Sequence, residues 1–308
     1  MTIRHATGNR ATDGLVADDR VAGNQAAESQ CTDHQGELWA ALRPRTQARI
    51  GLGRAGSALP TRHRLELQAA HAAARDAVHS PFDPDAVAAQ LTGTSVVRVR
   101  SAAPDRPTYL QRPDLGRRLN PVDRAHLPAG EWDVVFVVAD GLSSRAVHEH
   151  AAAMIRATTE RLPSGTRVAP VVLAEQARVA LGDDIAHAMG VTAVVLLVGE
   201  RPGMSAADSL GAYLTHQPVP GVTTDADRNC LSNIRPPQGL DYETAAGKLT
   251  ALLARARELG RTGVALKDDH HSGRPTTHRP TLTPPDQVPA QHTPQASPRP
   301  QPAAATRT

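Results

Sequence analysis

The sequence predicts an α/β protein with two structured regions. Residues 131–262 are expected to form a doubly wound, mostly parallel sheet, and residues 36–130 a mainly helical domain in front of it. After residue 130, continuous apolar runs alternate with helical patterns, which is typical of parallel strands covered by helices on both faces. Before residue 130, the pattern is Ala-rich and helical, with arginine-rich loops between the helices.

The elements of the first region are predicted mainly from caps and stops. A Pro residue ends the first helix, and Asp83-Pro84 provides an N-cap and first helical position for the third. The predicted elements are a helix over Glu37–Arg43, a helix over Arg62–Val78, a helix from Asp83 to about Leu91, a strand over Ser95–Arg100, and a polar loop or short helix over Tyr109–Leu119.

The second region has a more regular pattern, in which strands of four to eight apolar residues alternate with longer amphipathic segments. Predicted strands are Val134–Val138, Val168–Leu173, Ala193–Val198, Leu210–Thr215 and Cys230–Ile234. Predicted helices run from Ser143 or Ser144 to about Leu162, over Ala174–Met189 up to Gly190, and over Tyr242–Leu259 up to Gly260.

Composition excludes several classes of protein. Aromatic residues make up 2% of the 308 residues, and the net charge of +3 is spread among interspersed acids and arginines. Nucleic-acid binding usually needs a clustered basic face, often with stacking aromatics, so we expect no nucleic-acid partner. No apolar run is long enough to span a bilayer, and we expect no membrane partner.

The two cysteines, Cys31 and Cys230, are too few for a disulfide framework, and no Cys/His spacing suggests a metal site. The N-terminus lacks the apolar core of a signal peptide, which favours a cytoplasmic location. Residues 1–35 are polar and patternless, and residues 263–308 become rich in proline. Both segments are expected to be disordered tails, since neither can bury enough apolar surface to offset its ordering entropy.

One motif suggests a dinucleotide site. Gly51-Leu-Gly-Arg-Ala-Gly56 matches the GxGxxG fingerprint, and Asp76 follows at a suitable distance. The fingerprint needs a strand before it, whereas Leu38–Ile50 reads as helical or irregular. A glycine-rich surface loop is the preferred interpretation, and a nucleotide-binding oxidoreductase stays the less favoured alternative.

The richest segment is Leu197–Ile234, where polar clusters follow an apolar strand. Gly199-Glu-Arg-Pro-Gly203 ends that strand, and Asp225–Asn233 places acids, amides, a cysteine and an arginine in nine residues. Ligands of open α/β sheets bind outside the carboxyl ends of the strands, so these clusters indicate a binding edge. Cys230 has no visible partner that would activate it as a nucleophile, which favours a lining role.

An ordered series of motifs over residues 37–262 resembles the small (light) subunit of ethanolamine ammonia-lyase. The motifs are Thr46-x-Ala-Arg-Ile-Gly-Leu-Gly-Arg-Ala-Gly56, Ala70-His-Ala-x-Ala-Arg-Asp-Ala-Val78, Tyr109-Leu-x-Arg-Pro-Asp-Leu-Gly-Arg-Arg118, Val138-Ala-Asp-Gly-Leu-Ser-Ser144, Arg178-Val-Ala-Leu-Gly-Asp183, Val198-Gly-Glu-Arg-Pro-Gly203, Asp208-Ser-Leu-Gly-Ala-Tyr213 and Asp227-Arg-Asn-Cys-x-Ser-Asn-Ile234.

The resemblance implies a Rossmann-like domain in residues 131–262 that binds adenosylcobalamin, base-on, at an interface with a TIM-barrel large subunit. It further implies that the hetero-oligomer converts ethanolamine to acetaldehyde and ammonia. Residues 36–130 would contact the large subunit, and the family leaves location in a bacterial microcompartment open. Three cofactor-binding positions carry over by motif, namely Val179, Glu200 and Cys230, and no residue of this chain is expected to be catalytic. A non-catalytic corrinoid-binding or assembly module is the main alternative.

Overall fold

The computed structural model describes residues 36–268, and the predicted tail over residues 1–35 lies outside them. The α-helices of this described part are α1 (residues 36–42), α2 (Thr61–His79), α3 (Pro84–Gln90), α4 (Arg106–Gln111), α5 (Pro121–Arg124), α6 (Ser144–Thr159), α7 (Leu181–Met189) and α8 (Tyr242–Leu259). The strands are β1 (Val96–Arg100), β2 (Trp132–Ala139), β3 (Val171–Glu175), β4 (Val191–Gly199), β5 (Leu210–His216) and β6 (Asn229–Ile234).

The strands form one six-stranded mixed sheet in the order β1-β3-β2-β4-β5-β6. The four strands β1, β3, β2 and β4 run parallel, so their carboxyl ends meet at one edge. β5 pairs antiparallel with β4, and β6 pairs antiparallel with β5. The C-terminal end of β6 and the N-terminal end of β5 therefore lie at the same edge as the end of β4.

The side chains of β2 alternate between two hydrophobic clusters. Val134, Phe136 and Val138 pack with apolar residues of α6 and α8. Val135 and Val137 pack on the opposite side with apolar residues of α7. Both faces of this strand are covered, which explains why its sequence is a continuous apolar run.

Helix α8 has the bounds that the sequence predicts, because its two ends carry strong stop signals. The Asp241 side chain accepts a hydrogen bond from the Thr244 N–H, and Gly260 ends the helix in the left-handed conformation with φ of 72°. Asp83 caps α3 in the same way, by accepting from the N–H groups of Asp85 and Ala86.

The helix predicted over Ala174–Met189 is partly wrong. β3 continues to Glu175, Gln176 has a φ of 54°, and α7 begins only at Leu181. Ala174 belongs to the strand because its side chain is buried in the α7-side cluster. The residues between Gln176 and Leu181 form a loop at the carboxyl edge of the sheet.

The region before residue 130 contributes to the same sheet. β1 pairs with β3 over Val96–Arg100, and Val99 is buried in the α7-side cluster. The domain boundary at residue 130 stays a prediction. Leu266, in the segment assigned to the C-terminal tail, is 2% exposed and packs in the core, while residues 269–308 lie outside the described part.

The glycine-rich motif is preceded by helical turns rather than by a strand, as the sequence predicts. Gly51 and Gly53 both have positive φ, and a Cβ on Gly51 would overlap the Trp39 ring. Within residues 36–268, no helix combines the length and the apolar character that a membrane crossing requires.

Candidate functional site

The ends of β2 and β4 are joined by close backbone packing. The Leu142 N–H donates to the Gly199 carbonyl at 2.8 Å, and a Cβ on Gly199 would lie 2.0 Å from the Ser143 carbonyl oxygen. Ser143 caps α6 by accepting from the Ala146 N–H, which confirms the predicted N-cap. This packing requires glycine at position 199, the residue directly before Glu200.

Asp140, directly after β2, holds the loop that follows β3. One carboxylate oxygen accepts from the Ala177 N–H at 3.0 Å, and the other accepts from the Arg106 guanidinium at 3.0 Å. Burial raises the pKa of Asp140 to about 6, although the Ala177 N–H and Arg106 act in the opposite direction. The loop that carries Arg178 and Val179 is therefore held by a buried carboxylate at the end of β2, which Arg106 of α4 pairs.

Val179 lies in this loop, next to the N-terminus of α7, and not within a helix as the sequence predicts. It lines a cavity of about 270 Å³ at the carboxyl edge, together with Glu200, Tyr213 and the Gly141-Leu142 turn. It also lines a second cavity of about 360 Å³ between Arg117 and Thr223. The structure thus brings Val179 and Glu200 into one wall.

Glu200 is partly buried, and its carboxylate already accepts three hydrogen bonds. The donors are the hydroxyls of Ser209 and Ser232, each at 2.5 Å, and the Asn233 N–H at 3.2 Å. A carboxylate offers about four acceptor positions, so one remains for a ligand. A Cβ on Gly211 would lie 3.0 Å from Oε1, and glycine at that position therefore keeps the carboxylate accessible.

Cys230 is an exposed residue on β6, paired across the sheet with Tyr213. Desolvation by the surrounding protein raises the pKa of its thiol, and the nearby Glu200 carboxylate adds to this effect against a hydrogen bond with Tyr213. The Cys230 thiol is therefore protonated at neutral pH and is a poor nucleophile. It adjoins the Val179–Glu200 wall through Tyr213, which lines the same cavity.

Sequence reasoning missed Arg178 and Tyr109. The Tyr109 ring is fully buried, its hydroxyl donates to the Ala177 carbonyl, and the Arg178 guanidinium carbon lies 4.4 Å from the ring centroid. Arg178 lines both cavities. Both residues fall inside the quoted family motifs, but a stack between residues almost 70 positions apart has no signature in a single sequence.

A buried ion pair fixes the start of β6 to α7. Arg228 donates to both oxygens of Asp183 at 2.6 Å and also to the Thr215 hydroxyl at 3.0 Å. The two charged side chains are only 2% and 3% exposed. This pair fixes Arg228, two positions before Cys230, to the first turn of α7, which directly follows the loop that carries Val179.

Among the described residues, one cluster has the composition of a metal site. The ligand atoms of Glu149, His150 and Asp208 lie within 4.8 Å of one another. Arg145 pairs with Glu149 at 2.6 Å, and Arg235 pairs with Asp208 at 2.9 Å. These arginines balance both carboxylate charges without an ion, so the cluster is accounted for as a salt-bridge network.

One known protein family matches this chain. The family model described as ethanolamine ammonia-lyase light chain matches residues 36–267, which is most of the chain. This chain belongs to the ethanolamine ammonia-lyase light-chain family. The resemblance predicted from the motifs over residues 37–262 is therefore confirmed.

Three relatives of this light chain carry the name ethanolamine ammonia-lyase small subunit. The Rhodococcus erythropolis protein is 51% identical over 235 residues, which cover 75% of this chain and 90% of the relative. The Ralstonia nicotianae protein is 52% identical over 239 residues, covering 75% and 88%. The Azotobacter vinelandii protein is 50% identical over 245 residues, covering 77% and 90%.

Proposed function

We propose that this light chain is the small subunit of an adenosylcobalamin-dependent ethanolamine ammonia-lyase. With a large subunit it forms the enzyme that converts ethanolamine to acetaldehyde and ammonia, and alone it is inactive. The proposal is supported by family membership over residues 36–267 and by relatives near 50% identity that bear this name.

The observation that carries the cofactor assignment is the wall at the carboxyl edge of the sheet. Val179 provides an apolar surface, and Glu200 keeps one acceptor position for an amide donor. Cobalamin has a flat macrocycle with amide side chains around its rim, and it matches both features. The Nε of Arg178 is buried without a hydrogen bond, which is consistent with a polar ligand that completes the site.

Each of the three predicted cofactor-binding residues has a proposed role, two in the wall and Cys230 beside it. Val179 packs against the cofactor, Glu200 accepts a hydrogen bond from an amide, and the small thiol of Cys230 allows close approach. The cofactor supplies the radical chemistry when bound, as is general for enzymes of this kind. The residues of this chain position the cofactor and exclude water, and none is proposed to transfer a proton.

We propose that cobalamin binds base-on, as the family resemblance implies. The spacing Asp-x-His-x-x-Gly, which supplies a histidine ligand to cobalt in base-off corrinoid proteins, is found at Asp268-Asp-His-His-Ser-Gly273. This segment begins just beyond the family match, which ends at residue 267, so the motif is not part of the region that the family model matches.

The large subunit, proposed to be a TIM barrel, would cover the edge where the cofactor lies. Helix α2 supports a further contact, because Ala77 is its one buried residue along 19 positions. Leu65 of this helix is 59% exposed and Leu67 is 37% exposed. We propose that the region 36–130 contacts the large subunit through this helix.

The sheet with α6 and α8 on one face and α7 on the other supports a Rossmann-like, doubly wound assignment for residues 131–262. The antiparallel β5 and β6 extend this arrangement at one edge. The cytoplasmic location and packaging in a microcompartment stay predictions from the sequence.

Co-expression with a large subunit tests the proposal. The complex is expected to co-purify and to form acetaldehyde from ethanolamine only when adenosylcobalamin is added. Acetaldehyde formation by the small subunit alone would overturn the division of labour, and cobalamin binding without any activity of the complex would favour a non-catalytic corrinoid module.

A further inference from the structure

The cavity between Arg117 and Thr223 is lined by two arginines that have no carboxylate partner among the described residues. It is lined by Arg117, Arg178, Val179, Thr223, Asp225 and Arg228. Arg228 is neutralised by Asp183, and its Nε lies 3.6 Å from Asp225. For the side chains of Arg117 and Arg178, the structure records no hydrogen bond or ion pair within residues 36–268.

Arg178 is held in place without a carboxylate partner. Its guanidinium stacks on the Tyr109 ring at 4.4 Å, and its backbone N–H donates to the Gly116 carbonyl at 2.8 Å. A Cβ on Gly116 would lie 2.9 Å from Cγ of Arg178, so glycine leaves room for the stem of the side chain. The stack orients the planar fork and leaves its terminal N–H groups available to an anion.

The cavity adjoins the proposed cofactor wall. Arg178 and Val179 line both cavities, and Glu200 lies in the wall of the other one. Arginine is the preferred residue for bidentate recognition of phosphate oxygens. Cobalamin carries a single phosphodiester, in the loop that links the corrin to its lower base, and the polar side chains on the corrin rim are uncharged amides.

We infer that Arg178, supported by Arg117 at the exposed rim, binds the phosphodiester of the nucleotide loop of cobalamin. This inference rests on the proposed function of the chain. Arg178 is the principal contact because Tyr109 preorganises it, and Arg117 contributes less because its side chain is exposed to solvent. Asp225, also in the cavity wall, has a side chain that is 89% exposed, so solvent screens its repulsion of the phosphate.

Three corrinoids distinguish binding through the phosphate from binding through the rest of the cofactor. Cobalamin has the phosphate and the base, cobinamide phosphate has the phosphate alone, and cobinamide has neither. In the complex with the large subunit, Arg178→Gln should weaken cobalamin and cobinamide phosphate by about tenfold to a hundredfold, because a charge-assisted hydrogen bond is lost. Cobinamide, which lacks the phosphate, should bind the wild-type complex and the Arg178→Gln complex with equal affinity. Equilibrium titration followed by visible absorbance measures all three affinities.

Two further variants sharpen the comparison. Arg178→Lys keeps the charge but loses the planar fork, so it should retain part of the preference for cobinamide phosphate over cobinamide. Arg118→Gln is the matched control, since Arg118 adjoins Arg117 in sequence but does not line the cavity. It should leave all three affinities unchanged. Co-elution of each variant with the large subunit establishes that the fold and the assembly are intact.

The outcomes separate the two proposals. If the wild-type complex binds none of the three corrinoids, the proposed function fails. If the wild-type complex binds cobalamin and Arg178→Gln weakens all three ligands equally, or none of them, the phosphate assignment is overturned while the proposed function stands.

Discussion

Arg228 and Asp183 form a buried, two-point ion pair, with both N–O distances at 2.6 Å and side chains 2% and 3% exposed. The pair connects the residue before β6 with the first turn of α7. It therefore joins the elements on either side of the cavity that contains Arg178. A pair of this kind contributes mainly through the penalty that follows when one partner is removed.

Arg228→Ala should destabilise the chain by about 3–5 kcal/mol, because the Asp183 charge would remain buried without a partner. The double variant Asp183→Leu with Arg228→Met should recover most of this loss, since both charges are removed together. Urea unfolding followed by circular dichroism measures the free energy of unfolding for each variant.

The matched control is the exposed pair of Arg112 and Asp114, whose side chains are 60% and 46% exposed. Arg112→Ala should cost less than about 1 kcal/mol, as is usual for surface pairs. Equal losses from Arg228→Ala and Arg112→Ala would show that burial of the Arg228 pair has no energetic consequence.

Glu200 is expected to stabilise the carboxyl edge of the sheet and also to contribute to cobalamin binding. Glu200→Ala removes the acceptor for Ser209, Ser232 and Asn233, and it should lower stability by about 1–3 kcal/mol and cobalamin affinity by about tenfold. Ser232→Ala removes one internal donor and keeps the carboxylate, so cobalamin affinity should be maintained. If both variants weaken cobalamin equally, Glu200 is only a structural link between β4 and β6.

The elements that the sequence predicts well have capping residues at both ends. Helix α8 has Asp241 at one end and Gly260 at the other, and local chemistry is enough to place both ends. The start of α7 is different, because Ala174 is buried in β3 through contacts with distant residues, and nothing near it in sequence marks the turn at Gln176.

Strand direction and site contacts depend on tertiary packing. An apolar run over Leu210–Thr215 predicts a strand but contains no information on its antiparallel pairing with β4. Motif resemblance assigned Glu200 to the site. Its bonds to Ser232 and Asn233, which leave one acceptor position, depend on how β6 pairs with β5.

Cys230 should react slowly with alkylating reagents, because the raised pKa of its thiol leaves little thiolate at neutral pH. In a Cys31→Ser background, Cys230 is the one remaining thiol, and its rate with iodoacetamide can be compared with that of free cysteine. Bound cobalamin should slow the reaction further. A rate above that of free cysteine would identify an activated thiol and contradict the lining role.

Because of Asp140, the free energy of unfolding should fall as pH rises through the weakly acidic range. The unfolded carboxyl has a pKa near 3.8 and the folded one a pKa of about 6, so the folded state binds more protons between these values. Asp140→Asn cannot titrate and serves as the reference. Between about pH 4 and about pH 7, the wild type should lose about 3 kcal/mol relative to this variant, measured by urea unfolding at each pH. A constant difference across that range would show that Asp140 does not titrate there.

The lower ligand of cobalt can be decided by a spectroscopic measurement on the complex. His270 has the spacing of a base-off ligand, whereas the base-on proposal assigns the lower position to the dimethylbenzimidazole of the cofactor. In the reduced cob(II)alamin complex, the nitrogen bound to cobalt splits the electron paramagnetic resonance lines into triplets. Protein uniformly labelled with heavy nitrogen should leave these triplets unchanged, because the ligand nitrogen belongs to the unlabelled cofactor. Conversion to doublets, reversed by His270→Ala, would assign the ligand to the protein and replace the base-on proposal with a base-off one.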